Sequence, residues 1–494
     1  MSGWRLICSL GAGLAAVLAG CAHLDPPPSM KQALPAAWSN RADPADTRPK
    51  VDLTRWWTAF GDVTLDRLVD EAASDNLSLR AAASRVAAAR ASRNVATAGL
   101  LPTLSGTGIV EGERSFGAGN QTVLPIGSPG ADAIGQPVVV GSQSVAYYEP
   151  GLDATWEVPL FGRGAATREI ADAALGAAAA DRAAAQVRLV AEVARTYITL
   201  RADQQRYGIL AATVAVERRL AALVGTRRGA GMASDLDLAR ARNAADQTAI
   251  RLPPVDGDIR ETLQRLATLR GRTTPDPTLF APAPVPRAPT ASLDVVPADL
   301  LRLRPDIMQA GEAVEERSGA LGIAVADLYP QLALAGSISA VGGLNGGPLQ
   351  GPFGLLGGGP AVTIPLIDWG ARLAQAKVRN AQLAASILQY RQTVLGGVEE
   401  VESALARIAA ARGQAEAARR EVASAEQALG YAGLLYRQGL APLTDRLDTE
   451  HALLDARLDL VASAQSEALA VIVLYKAIGG RMPSMTASAR VGFP

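Results

Sequence analysis

The chain has 494 residues with 48 Lys plus Arg against 48 Asp plus Glu, so charge gives no argument for a nucleic-acid partner. Apolar residues make up 49% but aromatics only 4%, because alanine carries the apolar count, and this favours long, closely packed helices over a thick aromatic core. Two histidines (His23, His451) and two cysteines (Cys8, Cys21) leave no material for a Cys/His zinc site or a disulfide framework, and they speak against most enzyme classes.

Residues 1–20 read as a secretory signal: Arg5, then an apolar stretch Leu6–Ala19 too short to span a bilayer as a mature helix. The signal ends in Leu18-Ala19-Gly20-Cys21, which resembles a bacterial lipobox, with Cys21 as the lipidated mature N-terminus; an ordinary signal with a chance cysteine is the alternative. Ala22, rather than Asp, follows the cysteine, which favours the outer membrane. Residues 21–56 are polar and proline-containing, a tether rather than a packed element.

Helical patterns follow over Val63–Leu101, over Gly164–Thr226 (roughly 60 residues, or ~95 Å at 1.5 Å per residue) and over Ser234–Leu252. Seven prolines from Pro275 to Pro297 predict an extended connector. Helix resumes over Pro305–Tyr329, Gly370–Gln438 and Leu443–Ile478. In the last of these, Leu447, Leu454, Leu458, Val461, Ala468, Ile472 and Tyr475 follow a coiled-coil seam.

The halves repeat. Leu79–Pro102 aligns with Ile307–Pro330 at a shift of 228, Val158–Gly164 with Ile364–Gly370 at 206, and Arg227-Arg228-Gly229 with Arg437-Gln438-Gly439 at 210. The chain therefore divides into a signal (1–20), a lipidated tether (21–56), a first repeat (57–274, with strands at about 103–114 and 144–160), the connector (275–297), a second repeat (298–480, with strands at about 331–341 and 353–367) and a tail (481–494).

Between the helices the period changes to two. In Tyr147–Val158, Tyr148, Leu152, Ala154, Trp156 and Val158 fall on one side, with Glu149, Asp153, Thr155 and Glu157 on the other. Leu332, Leu334 and Ile338 oppose Gln331, Ala333, Ser337 and Ser339, and Leu104 and Val110 oppose Thr103, Ser105, Thr107 and Glu111. Gln331–Ile367 holds no charge, but its prolines and glycines forbid a membrane helix. This alternation suits a membrane β-barrel with lipid outside and water inside, and also a soluble sandwich. Four strands cannot close a barrel and open edges are not tolerated in lipid, so on the barrel reading several chains share one, and three copies supply twelve strands. The long helices carry charge throughout and belong in water.

The ordered set of marks resembles the outer-membrane efflux protein family of the TolC/OprM type, in its lipoprotein, NodT-like branch. The marks are the lipobox, Trp57 with Phe60-Gly61-Asp62, Leu101-Pro102 and Tyr329-Pro330 before strands, Trp156–Gly164 with its counterpart Ile364–Gly370, and Tyr436-Arg437-Gln438-Gly439. The resemblance implies a mainly α fold with membrane β: a homotrimer with a long coiled-coil α-barrel continuous with a twelve-stranded transmembrane β-barrel. It implies an outer-membrane exit duct for small molecules, multidrug efflux included, working with a periplasmic adaptor and an inner-membrane pump of the RND type. No enzyme activity, cofactor or metal is implied. A periplasmic coiled-coil scaffold or adaptor lipoprotein without a pore is the alternative, which leaves the strand alternation unexplained.

The resemblance also implies a periplasmic gate. Matched from the Tyr436 turn, acidic rings fall on Asp445 and Asp448, three residues apart on one helical face, with Ser234, Asp235 and Tyr436 as gate contacts. Ala441 stands where the family often has an arginine, so the resemblance does not supply the gate's salt-bridge latch. Two aspartates at the start of a helix also suit a solvated face or the helix dipole.

Overall fold

The computed structural model describes residues 24, 26–40, 53–113, 122–124, 138–140, 145–289, 297–299, 303–344 and 352–480; the signal, Cys21 and the tail 481–494 lie outside them. The helix expected over Val63–Leu101 is two, α1 (Val63–Asp75) and α2 (Leu77–Ala98). Asn76 takes extended backbone between them (ψ 123°), and its side chain makes the break a fixed joint. Its Oδ1 accepts from the Leu79 amide at 3.0 Å, while its Nδ2 donates to the Leu269 carbonyl at 2.9 Å.

The remaining elements are β1 (Thr103–Glu113), β2 (Thr122–Leu124), β3 (Val138–Val140), β4 (Val145–Val158), α3 (Arg163–Gly229), α4 (Asp235–Ala249), α5 (Leu252–Leu269), α6 (Pro305–Ala326), β5 (Gln331–Gly343), β6 (Phe353–Thr363), α7 (Ala371–Arg437) and α8 (Leu443–Ile478). Both α3 and α7 have 67 residues. Their ends differ by 208 positions, not by the 206 and 210 of the sequence matches. Backbone geometry sets this offset. Phe161 and Gly162 (φ 51° and 85°) precede α3 as Trp369 and Gly370 (φ 56° and 83°) precede α7. The left-handed glycine of the later turn is Gly231 in one case and Gly439 in the other (φ 74° and 73°), so Gly439 corresponds to Gly231 and not to helical Gly229.

The chain forms two compact units. Unit 1 comprises residues 1–30, 87–177 and 310–390; unit 2 comprises 31–86, 178–309 and 391–494.

Unit 1 holds a four-stranded antiparallel sheet of order β1-β4-β5-β6 and the short β2-β3 ribbon. Registers place Leu104 opposite Ala154, Leu152 opposite Ile338, Trp156 opposite Leu334, and Ile338 opposite Leu356, so one face is apolar across all four strands. The β4–β5 pairing lapses at Glu149 and Pro150, as expected of a proline with no N–H to donate. Below the sheet, Phe161 stacks on Tyr329 with centroids 4.9 Å apart, and Arg163 pairs with Glu157 and Asp327. Small residues bring α6 against α3: a side chain at Gly319 would collide with Ile170 and the Ala166 carbonyl.

Unit 2 is built on Trp56, Trp57, Leu65, Leu68, Tyr197, Ile198 and Leu200, all buried. Gly61 turns the chain at φ 65°, and Asp62 caps α1 through the Thr64 and Leu65 amides at 2.8 and 3.1 Å. The other Asp62 oxygen accepts from the Tyr197 hydroxyl at 2.8 Å, which accounts for the Phe60-Gly61-Asp62 motif. The seam of α8 is buried at Leu447, Leu454, Val461, Ala468, Ile472 and Tyr475, with Leu458 half-buried. This helix is long and apolar enough to cross a membrane by length and composition, yet its seam packs within unit 2.

The expected tether and the expected extended connector are both docked in part. Trp38 is buried, and the Ser39 and Asn40 amides donate to the Glu402 carboxylate at 2.6 and 3.0 Å. In the connector, Leu279 is fully buried, Gln204 donates to its carbonyl at 2.7 Å, and Arg201 donates to the Ala281 carbonyl at 2.8 Å. Asp276 sits between Arg67 (2.8 Å) and Arg270 (3.2 Å). Despite partial burial, amide, hydroxyl and guanidinium donors hold its carboxyl down at about 2. Asp276 also caps a short 3-10 helix, Pro277–Leu279, so proline content signals the connector but not its local helix or the carbonyls and carboxylates that side chains capture.

Candidate functional site

At the end of α3 a glycine-terminated turn leads into α4. The Gly231 and Met232 amides return to the Arg228 and Arg227 carbonyls at 2.9 and 2.8 Å. Ser234 then caps α4 in a reciprocal box: its hydroxyl accepts from the Asp237 amide at 3.0 Å, and Asp237 accepts from the Ser234 amide at 3.2 Å. The Ser234 hydroxyl and amide hold the Asp237 carboxyl below its ordinary value. The turn from α7 into α8 is built alike. The Gly439 and Leu440 amides return to the Tyr436 and Leu435 carbonyls at 3.1 and 2.9 Å, and Pro442 stands at the cap.

Tyr436 packs on an apolar cluster of Leu220, Val224, Leu238, Ala241, Ala244, Leu443 and Leu447, which ties both turns to one core. Two guanidiniums lie over its ring, Arg227 at 5.3 Å and Arg446 at 5.8 Å from the centroid. Asp235, its side chain 81% exposed, pairs with Arg228 at 2.5 Å. Asp445 is the third residue of α8 and Asp448 the sixth; both are exposed. Asp445 accepts from the Thr444 hydroxyl at 3.4 Å and suits the positive end of the helix. The structure therefore gathers Ser234, Asp235, Tyr436, Asp445 and Asp448 at the two turns of unit 2, with Arg227, Arg228 and Arg446 as partners that sequence matching missed. No cluster of metal-ligating side chains occurs among the described residues.

A second feature missed in the sequence lies farther along the same helices. Glu217 of α3, fully buried, accepts from the Thr248 hydroxyl of α4 at 3.1 Å and lies 3.2 Å from His451 Nε2 of α8. Glu450 is buried beside it. Burial pushes both carboxyls up. The sequence signal is the seven-residue step from Leu447 to Leu454, where Glu450 and His451 occupy the missing seam position.

The sheet of unit 1 separates two environments. On one face Leu104, Val110, Leu152, Ile338 and Leu356 stand exposed, Leu356 at 86%. On the other, polar groups bond to one another. Thr107 donates to Asp153 at 3.1 Å, Tyr147 to Glu111 at 2.9 Å, and Ser339 to Glu149 at 2.8 Å. This is the reverse of a water-soluble sheet lying on a core, where the bare face would be the polar one.

The model of the family described as "Outer membrane efflux protein" matches residues 68–272 and 296–480. The chain is 30% identical to Nodulation protein T of Rhizobium leguminosarum bv. viciae over 440 residues, covering 87% of this chain and 85% of that protein. It is 28% identical to the pyoverdine export outer membrane protein OpmQ of Pseudomonas aeruginosa over 472 residues, 94% of each. The solved structure of the outer-membrane channel OprN superposes with a TM-score of 0.78 at 27% identity, over 93% of this chain and 99% of that one. A mainly helical chain with a small four-stranded sheet, bare on its apolar face, fits these relatives over nearly its whole length. The chain belongs to the outer membrane efflux protein family, in its nodulation protein T-like branch, and is an outer-membrane exit duct of an efflux system.

Proposed function

We propose that three copies form one duct, in which their sheets close a twelve-stranded transmembrane β-barrel continuous with a coiled-coil α-barrel in the periplasm. The observation that carries this reading is the sheet itself: an exposed apolar face, a bonded polar face, and β1 and β6 each paired on one side only. In lipid both edges need partners, and the same strands from further copies supply them. The two repeats, 57–274 and 298–480 joined by the connector 275–297, fit a duplicated unit, as the common 208-residue offset supports. Cys21 carries a palmitate-bearing lipid anchor after removal of the signal.

The duct passes small molecules received from a periplasmic adaptor and an inner-membrane pump of the RND type, and it does so without catalysis or cofactor. Relatives described as pyoverdine export and toluene efflux proteins support a small-molecule cargo. Asp445 and Asp448, repeated in three chains, form acidic rings at the periplasmic gate. Ser234, Asp235 and Tyr436 set the turns that position them. Purified protein in planar bilayers is expected to give discrete, cation-preferring conductance steps; a preparation of assembled protein that gives none refutes the reading.

A further inference from the structure

Two buried acids, Glu217 and Glu450, interrupt the apolar seam joining α3, α4 and α8. On α3, Glu217 lies between Leu210 and Val214 on one side and Leu220 and Val224 on the other, all four buried. On α8, Glu450 lies between Leu447 and Leu454, also buried. Apolar clusters flank the acids on both sides, Leu220 with Leu238 and Leu447 in one, Leu210 with Val255 and Leu454 in the other. Each acid has one buried oxygen, Oε2, with no hydrogen-bond partner. Glu217 Oε1 takes both of its donors, Thr248 and His451. Packing alone gives no reason for two carboxyls here, since a buried ionised carboxylate without full pairing is costly and a leucine would continue the seam.

We propose that Glu217, Glu450 and His451 form a proton-sensitive clasp that holds α4 and α8 against α3 in acid and loosens them as pH rises. The groups bearing on the pair are Arg446 and His451 of α8 beside Glu450, and Glu450 itself facing Glu217; α4 contributes the neutral Thr248 hydroxyl. Burial raises both carboxyls, so over a window above the ordinary carboxylate range the folded seam keeps protons that the opened one releases. Acid therefore favours the closed seam, and deprotonation favours opening. The clasp depends on packing within unit 2 and requires nothing of the pore.

Hydrogen exchange of the full-length protein in detergent, corrected for intrinsic rates, tests the clasp at segments 235–249 and 443–454. Between pH 5 and pH 8 the wild-type protein is expected to lose protection several-fold there. Glu217→Gln with Glu450→Gln is expected to retain the acid level of protection at both pH values. Thr248→Val, which keeps both carboxyls but removes a donor to ionised Glu217, is expected to move the loss to higher pH. Equal wild-type protection at both pH values, or an undiminished loss in the double variant, overturns the proposal.

Discussion

Placing an arginine at Ile338 tests which side of the sheet meets lipid. Ile338 is the eighth of thirteen residues in β5, and it stands 54% exposed between Leu152 on β4 and Leu356 on β6. Near the bilayer midplane an arginine on the lipid face costs ~2–4 kcal/mol, hence roughly 6–12 kcal/mol for three copies in one barrel. Leu334 lies four residues nearer α6, ~13 Å along the strand, beside Trp156 and Pro360. There the cost falls toward ~0–1 kcal/mol per chain as the interface approaches. Ser337 pairs with Asp153, and an arginine on that face meets carboxylates and water. The expected order of damage to heat-resistant oligomer in outer-membrane fractions is Ile338→Arg, then Leu334→Arg, then Ser337→Arg. If Ser337→Arg proves as harmful as Ile338→Arg, the assignment of faces is wrong.

Replacing Asp445 and Asp448 together by Asn removes six charges from a trimer and is expected to weaken cation selectivity and block by multivalent cations in planar bilayers. Unchanged selectivity makes the two positions ordinary solvated aspartates. Asp235→Ala frees Arg228 and is expected to change conductance more than selectivity. Asp276→Asn is expected to cost about 2 kcal/mol near neutral pH, from a carboxyl lowered from 3.8 to about 2. Because the folded value is the lower one, this stability is present above pH 4 and lost as pH falls through 2, so the gap between wild type and variant in thermal unfolding should close over that window. Cys21→Ser is expected to remove the lipid by mass spectrometry while leaving the protein in the outer membrane.

Periodicity made much of this chain legible. A period of two placed the apolar side chains of β1, β4 and β5 on one face, because each residue along a strand must point opposite to its neighbour. The seam of α8 was equally plain, since one helix face must be apolar to pack. What stayed hidden depends on single side chains capturing backbone. Asn76 splits a helix whose flanking pattern runs through it, and Gln204 and Arg201 dock a proline-rich segment by its carbonyls. The turns show a further difficulty: matching Arg-Gln-Gly by identity points to Gly229, whereas the left-handed residue is Gly231. At the candidate gate the acids were visible as residues, but their partners were not. Arg228 reaches Asp235 across a turn whose geometry the sequence does not state, and Glu217 meets Glu450 only through tertiary packing.

The central claim is that three copies complete one barrel. The molar mass of the detergent-solubilised protein, measured by light scattering with the detergent contribution subtracted, tests it most directly. Three chains per particle is the predicted result. A homogeneous particle of one or two chains would leave four or eight strands to the membrane and contradict the account.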